Sequence, residues 1–338
     1  MTTMFEEALE AAQVVRAQLA ANAGIMARIG ARLRRSEPPL IVTCARGSSD
    51  HAATYAKYLF ESRTGIFTAS AAPSINSVYG KQMKVDGGLC LFISQSGVSP
   101  DLLAVARAAK RAGGYVVACV NVADSPLAEI ADDVVELHAG RERSVAATKS
   151  FIASLSAVLQ LVAYWQDDDE LHTVLGGLPD RLRDAWDCDW SPALDVFAAS
   201  PGLFVLGRGI GLGIAQEAAL KLKEVCGLHA EAFSAAEVLH GPIAIAGRAF
   251  PVLVFAQHDQ THDGIARLAD RLAEHGITVV GAGLDRRAAV ELPTIASHPA
   301  IEPLLEIQSF YRMAFSLSLR LGLDPDHPPF LSKVTATV

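Results

Sequence analysis

Cysteine is scarce in this chain: 338 residues hold five, an odd number, and no two form a Cys-x-x-Cys pair. That excludes a disulfide framework and a thiolate metal site, and it implies a reducing, cytoplasmic setting. Cys44, Cys90 and Cys119 fall inside or at the end of apolar runs and read as buried thiols. The ten histidines show no His-x-His or His-Glu-x-x-His spacing. No metal site and no cofactor is therefore expected. Long apolar stretches are missing as well, for no run reaches the roughly 18 uncharged residues that a membrane span needs. The N-terminus is acidic and amphipathic, without the basic segment and continuous apolar core of a signal peptide. There is no run of lysine and arginine either, and the net charge is −8. Nucleic acid and membrane are thus not expected partners.

What the chain does have is apolar material, 51% of its residues. Short Val-, Ile- and Leu-rich runs at 40–45, 87–93, 115–120 and 134–137 read as buried strands. Helical patterns at 51–62 and 101–113 lie between them, and Gly113-Gly114 supplies a stop. The pattern then recurs, with strands at 203–209, 251–256 and 277–283 and helices at 216–225 and 264–276. The register is constant. Arg46-Gly47 returns as Arg208-Gly209, Gln95 as Gln257, Asp101 as Asp263 and Gly114 as Gly276, each 162 residues on. Such spacing implies internal duplication. The fold class expected is α/β: two tandem doubly wound parallel-sheet domains related by that duplication. The expected division is an N-terminal helix plus first domain over 1–165, a helical linker over 166–190, a second domain over 191–322 and a tail over 323–338. The acidic run Asp167-Asp168-Asp169-Glu170 reads as a solvated turn between helices. The first helix and the helix from Glu302 to Leu321 are expected to pack across the lobes or against a second subunit. The proline-broken tail is not expected to form a helix.

Two turns could carry a ligand. Ser94-Gln95-Ser96-Gly97-Val98-Ser99 follows a strand, with Ser99 suited to cap the next helix and Pro100 to its first turn. Hydroxyls, an amide and free backbone N–H groups at a helix N-terminus favour a phosphate without any lysine. Taken alone, the loop is equally well a capped turn with no ligand. In the second half the same place reads AQHDQTHD (256–263), where the serines are gone and Asp259 adds negative charge. Only the first half is therefore expected to hold phosphate, which frees the second for another task. A matching turn, Arg46-Gly47-Ser48-Ser49-Asp50-His51, ends the first strand. Its glycine lets the backbone approach a ligand, and its serines either bind that ligand or cap the helix; His51 reads as structural. The other concentration of reactive groups is Leu220–Pro242. Lys221 and Glu224 share a helix face, and His240 lies in a His-Gly-Pro turn. They could perform proton chemistry at a sugar carbonyl, or they could be a surface ion pair and a turn residue. His229, Glu231 and Glu237 are weaker candidates, and Lys333 has no local signature.

The blocks SQSGVSPD, VAATKSF (145–151), LKLKEVCGLHAEAF, EVLHGP and PPFLSK, in this order along a doubled sheet, resemble the sugar isomerase (SIS) domains of glucosamine-6-phosphate synthase. The resemblance covers nearly the whole chain and implies two flavodoxin-like domains. It implies that Ser49, Ser94, Gln95, Ser96 and Ser99 bind the substrate phosphate. Arg46, Gly47, Ser48, Val145 and Ala147 would line the sugar, with Arg46 standing where the synthase has cysteine. Glu224 would move a proton between C1 and C2 with Lys221 close by, and His240 would assist ring opening. Lys333 would contact the open-chain sugar. A homodimer with a shared active site follows, His240 acting in its own subunit or in the partner's. The synthase's glutaminase domain, with its N-terminal nucleophilic cysteine, is not seen in this sequence. The same chemistry is therefore expected to run in reverse, as in the SIS-type glucosamine-6-phosphate deaminases, releasing fructose 6-phosphate and ammonia. The alternatives are a deaminase or deglycase acting on galactosamine 6-phosphate or fructosamine 6-phosphate, and a non-catalytic sugar-phosphate sensor.

Overall fold

The structure is a computed structural model and describes residues 2–247, 249–285 and 287–333. In chain order its elements are α1 (Thr3–Leu9), α2 (Ala11–Ser36), β1 (Ile41–Cys44), α3 (Ser48–Thr64), β2 (Thr68–Ser70), α4 (Pro73–Ser77), β3 (Leu89–Ser94), α5 (Pro100–Arg111), β4 (Tyr115–Val120), α6 (Pro126–Ile130) and β5 (Asp133–Glu136). They continue with α7 (Lys149–Gln166), α8 (Asp169–Trp186), α9 (Ala193–Ala198), β6 (Gly202–Gly207), α10 (Leu212–Cys226), β7 (His229–Ser234), β8 (Val252–Phe255), α11 (His262–Glu274), β9 (Val279–Ala282), β10 (Val290–Leu292) and α12 (Glu302–Arg320).

The described residues divide into two compact units. The first lobe comprises Gln13–Glu142, Lys149–Gly177 and the pair Ser332 and Lys333. The second comprises residues 2–12, Arg143–Thr148 and Leu178–Leu331. Most of the stretch expected as a linker is the helix α8, and the division falls inside it. Residues 334–338 of the expected tail lie outside the described residues, and 321–333 form no helix.

Each lobe is built on one parallel five-stranded sheet, in the orders β2-β1-β3-β4-β5 and β10-β9-β8-β6-β7. Taken from its other edge, the second is β7-β6-β8-β9-β10, the same doubly wound order as the first. The duplication inferred from the 162-residue spacing is thus visible in the winding of the strands. Strands β3 and β4 are buried along their full lengths. A parallel sheet covered by helices has two dry faces, which is why these strands lack polar alternation. Cys90, Phe92, Val105, Val116 and Leu127 anchor the core on one face of the first sheet, and Phe204, Leu206, Val254, Ile265 and Leu268 do so in the second. Each large side chain so buried contributes about 1.5–3 kcal/mol.

Three strands were not expected, and all lie at sheet edges. β2 and β10 have only three residues each. β7 alternates exposed His229 and Glu231 with buried Ala230, so it lacks a continuous apolar run. Helix α12 is largely buried within its own lobe, against α10, α9 and α1. The acidic run forms the junction of α7 and α8, where Asp168 Oδ1 accepts the Leu171 N–H at 3.0 Å. No helix among the described residues is long and apolar enough to cross a membrane.

Candidate active site

In the first lobe the winding reverses between β1 and β3, neighbours in the sheet with helices that follow each of them. Ligands of open α/β sheets bind in the crevice at this point, beyond the carboxyl ends of the strands. The loops that meet there are Ala45–Gly47, after β1, and Gln95–Ser99, after β3. The structure therefore brings together Arg46, Gly47, Ser48, Ser49, Ser94, Gln95, Ser96 and Ser99. Two helix N-termini, of α3 and α5, open onto the same crevice, and both favour an anion.

The serine loop is shaped by its own side chains. Ser94 Oγ accepts the Gly97 N–H at 3.0 Å, which turns the chain back over the strand end. Gly97 has φ +65, and a Cβ there would lie 2.2 Å from Ser125 Oγ. Ser99 occupies the N-cap of α5 with Pro100 behind it, yet its hydroxyl makes no cap bond. Ser48 and Ser49 do not cap α3 either. They are its first two residues, and the cap is Gly47, at φ +55 with open space where a side chain would be.

Arg46 acquires a definite partner. Its Nε and Nη2 donate to Asp101 Oδ2 at 2.8 and 2.6 Å, and this tie joins the two loops. The Asp101 side chain is wholly buried while that of Arg46 is half exposed. A guanidinium thus stays beside the serine loop with its orientation fixed, able to face an anion as well. Burial pushes the nearby Cys44 thiol up to about 12, so it is not a nucleophile. Burial also raises the Asp50 carboxyl, against the opposing pull of His51 and Arg46.

The equivalent crevice of the second lobe is filled by protein. Gln257 is fully buried, and its Nε2 donates to the Arg208 carbonyl at 2.8 Å and to Asp259 Oδ2 and Thr261 Oγ1 at 3.0 Å. The side chain that corresponds to Gln95 therefore closes the site, and Asp259 opposes an anion.

The second lobe instead carries a charged cluster on α10. Lys221 is fully buried, its Nζ 3.5 Å from Glu217 Oε1 and in contact with Glu224 Oε2. Tyr311 of α12 donates its hydroxyl to Glu217 Oε1 at 3.2 Å. The pair expected at Lys221 and Glu224 exists, but it is buried and not the surface pair that spacing alone allowed. Glu224 is the member that solvent reaches, at 17% side-chain exposure. Two carboxylates share one ammonium, which fixes the position of the Glu224 carboxylate. Glu217 was missed in the sequence, although its four-residue spacing to Lys221 on a helix was a signal.

The other expected residues are spread more widely. His240 is exposed in a 3-10 turn, Glu237–His240, and its ring has no hydrogen bond or ion pair among the described residues. His229, Glu231 and Glu237 are exposed. Val145 and Ala147 are half buried and pack with the second lobe, beside Ser144, whose N–H donates to Glu7 Oε2 at 3.1 Å. Lys333 belongs to the first lobe and is not a plain surface lysine. Its Nζ meets the fully buried Glu142 Oε2 at 3.1 Å, and that carboxylate also accepts the Ser150 hydroxyl at 2.6 Å. One cluster has the ligand types of a metal site, His258, His262 and Asp285. The four-residue spacing of His258 and His262 was a signal that the His-x-His and His-Glu-x-x-His patterns passed over, and Asp285 gave none because it comes from another strand end.

Comparison with known proteins agrees with this architecture. The SIS domain family model matches residues 36–164 and 197–285, one region in each half of the chain. The chain is 32% identical over 321 residues to the glutamine–fructose-6-phosphate aminotransferase [isomerizing] of Methanothermobacter thermautotrophicus, across 92% of this chain and 52% of the relative. The chain thus spans about half the length of the curated relatives it matches. Among solved structures, a "putative phosphosugar isomerase" from Silicibacter pomeroyi DSS-3 superposes with a TM-score of 0.92 at 45% identity, across 96% of this chain and all of that one. The glucosamine-6-phosphate deaminase of Thermotoga maritima superposes with a TM-score of 0.74 at 20% identity, across 96% of this chain and all of that one, a likeness of fold alone. With two matched regions, two sheets of one winding and a serine loop at the first crevice, this chain belongs to the SIS domain family.

Proposed function

We propose that this protein is a phosphosugar isomerase acting on an aminated substrate, and that it converts glucosamine 6-phosphate to fructose 6-phosphate and ammonia. The observation that carries this reading is Glu224, a carboxylate within reach of solvent and held by a buried lysine. Such a group suits a proton shuttle. The amino-sugar class is supported by the relatives named as isomerizing aminotransferases, which match along nine-tenths of the chain. An isomerase that forms the C–N bond in one direction breaks it in the other, so deamination uses the same groups.

The residues divide the work as follows. The serine loop and the N-termini of α3 and α5 bind the phosphate, with Arg46 adding positive charge at their edge. His240 assists ring opening, which yields the open-chain aldehyde. Glu224 removes the C2 proton, the C–H pair becomes the C1–C2 double bond, and the aldehyde oxygen takes a proton. Return of the proton from Glu224 to C1 leaves an imine at C2. Water adds to that imine and ammonia leaves, so the ketose forms without net oxidation. Lys333, placed against Glu142, contacts the open-chain sugar. We further propose a homodimer in which His240 serves the partner's site. The solvent-exposed Leu239 and Ile245 beside it support that reading.

Ammonia release from a panel of amino-sugar 6-phosphates tests the activity. Turnover should be greatest with glucosamine 6-phosphate. Glu224→Gln should lower kcat by about 10²–10⁴ and leave substrate binding nearly intact. Tight binding of one sugar with turnover of none would mark a sensor instead.

A further inference from the structure

We propose that the second lobe carries a divalent-cation site, formed by His258, His262 and Asp285 and oriented by Glu302, with a preference for a borderline ion such as Zn²⁺. It goes beyond the isomerase reading, since no step of that chemistry uses these residues. His258 lies in the turn after β8, His262 is the first residue of α11, and Asp285 follows β9. The three therefore come from the carboxyl ends of two adjacent parallel strands, β8 and β9. That is the edge of the sheet where the serines of the first lobe have no counterpart.

One donor atom from each residue lies within 4.8 Å of the others. His258 Nε2 is 3.6 Å from Asp285 Oδ1, and His262 Nε2 is 3.7 Å from Asp285 Oδ2. These separations are too long for hydrogen bonds. They are close to the spacing of donors around a tetrahedral Zn²⁺, roughly 3.4 Å for bonds of about 2.0–2.2 Å. The donors thus converge at ion-pair distance without hydrogen-bonding one another, and small side-chain motions gather them around an ion.

A second observation orients the site. His258 Nδ1 lies 3.1 Å from both oxygens of Glu302. A proton on Nδ1 donates to that carboxylate and leaves the Nε2 lone pair directed at Asp285. Glu302 is buried, and it also accepts the backbone N–H groups of His258 at 2.7 Å and Ser297 at 3.1 Å. A buried carboxylate that fixes the tautomer of a liganding imidazole is the usual outer support of a metal site. The two imidazoles stack at 4.8 Å with 19° between planes, so both present an edge to Asp285. His262 Nε2 donates to the Gly283 carbonyl at 2.9 Å; on binding an ion it gives up that bond, and the ring takes the tautomer with its proton on Nδ1, which frees the Nε2 lone pair. Two nitrogens and one carboxylate favour Zn²⁺, Co²⁺ or Ni²⁺ over Mg²⁺ or Ca²⁺. Asp285 is largely exposed, so water completes the coordination.

Titration calorimetry on the full chain, freed of metal by a chelator, tests the proposal with ZnCl₂ and, separately, with MgCl₂. One Zn²⁺ per chain is expected, with Mg²⁺ giving no comparable binding. His258→Ala and Asp285→Asn should each weaken Zn²⁺ binding by tenfold or more, and Glu302→Gln by about 10–100-fold through His258. Asp285 is exposed, so its variant keeps the test valid if His258→Ala fails to fold. Zn²⁺ binding that is unchanged in Asp285→Asn, or equal Zn²⁺ and Mg²⁺ binding, would overturn the site.

Discussion

Glu306 is a carboxyl group that folding removes from water. Burial raises its pKa well above the ordinary value of 4.5, and the negative charge of Glu302 adds to the rise. The native state therefore keeps a proton that the unfolded chain releases once pH exceeds that value. By linkage, the stability this group contributes is fully present below pH 4.5 and is lost as pH rises through the native pKa. Glu306→Gln reproduces the protonated form at every pH. Urea unfolding from pH 4.5 to 8 should show little difference between variant and wild type at the acid end and a growing advantage for the variant as pH rises. A difference independent of pH would show that Glu306 is not the protonated group. The residue scale also distinguishes Glu224. Along one face of α10, over two helix turns, the same lysine holds a buried carboxylate and a solvent-reached one, and the proposed proton shuttle falls to the second.

At the scale of elements, the serine loop shows how a glycine shapes the turn proposed to bind phosphate. Gly97 meets Ser125 so closely that any side chain must displace it, and its φ of +65 disfavours other residues. Gly47 has a similar φ, +55, but open space around it. Gly97→Ala should cost about 2–4 kcal/mol, from backbone strain and overpacking together. Gly47→Ala should cost about 1–3 kcal/mol from strain alone. Thermal unfolding of the two variants orders the costs, and Gly97→Ala should also raise KM for the phosphosugar. Equal costs would mean that the contact with Ser125 does not pin the loop. The strand–loop–helix pattern of this region was legible in the sequence, because Pro100, Ser99 and a buried strand are local signals. The tie from Arg46 to Asp101 was not, since its partners are 55 residues apart.

At the scale of the molecule, duplication has produced two lobes of one winding with different ends. The first keeps an open crevice lined with hydroxyls, while the second closes its crevice with Gln257 and carries carboxylates, lysine and histidine instead. The proposed dimer can be tested on the whole protein by mixing two inactive variants, Glu224→Gln and His240→Ala. If His240 serves the partner's site, a hybrid dimer has one intact site, and random pairing in a two-fold dimer restores about a quarter of wild-type activity. No recovery on mixing, or a monomer by sedimentation, would remove the shared site.

The sequence by itself determined the class of the fold, the duplication, the buried cysteines, the serine loop and the pairing of Lys221 with Glu224. All but the duplication rest on short-range patterns, namely apolar runs, helix spacing and capping residues, and the duplication rests on a constant 162-residue offset. Tertiary structure alone decided which side chains are dry and which distant ones meet. It buried Lys221, brought Tyr311 onto Glu217, seated Lys333 on Glu142, and gathered His258, His262 and Asp285 from two strand ends. The physical reason is that burial and long-range contact depend on how helices cover a sheet. Edge strands such as β2 and β10 escape local detection for the same reason, because three residues gain their structure only from the strand they pair with.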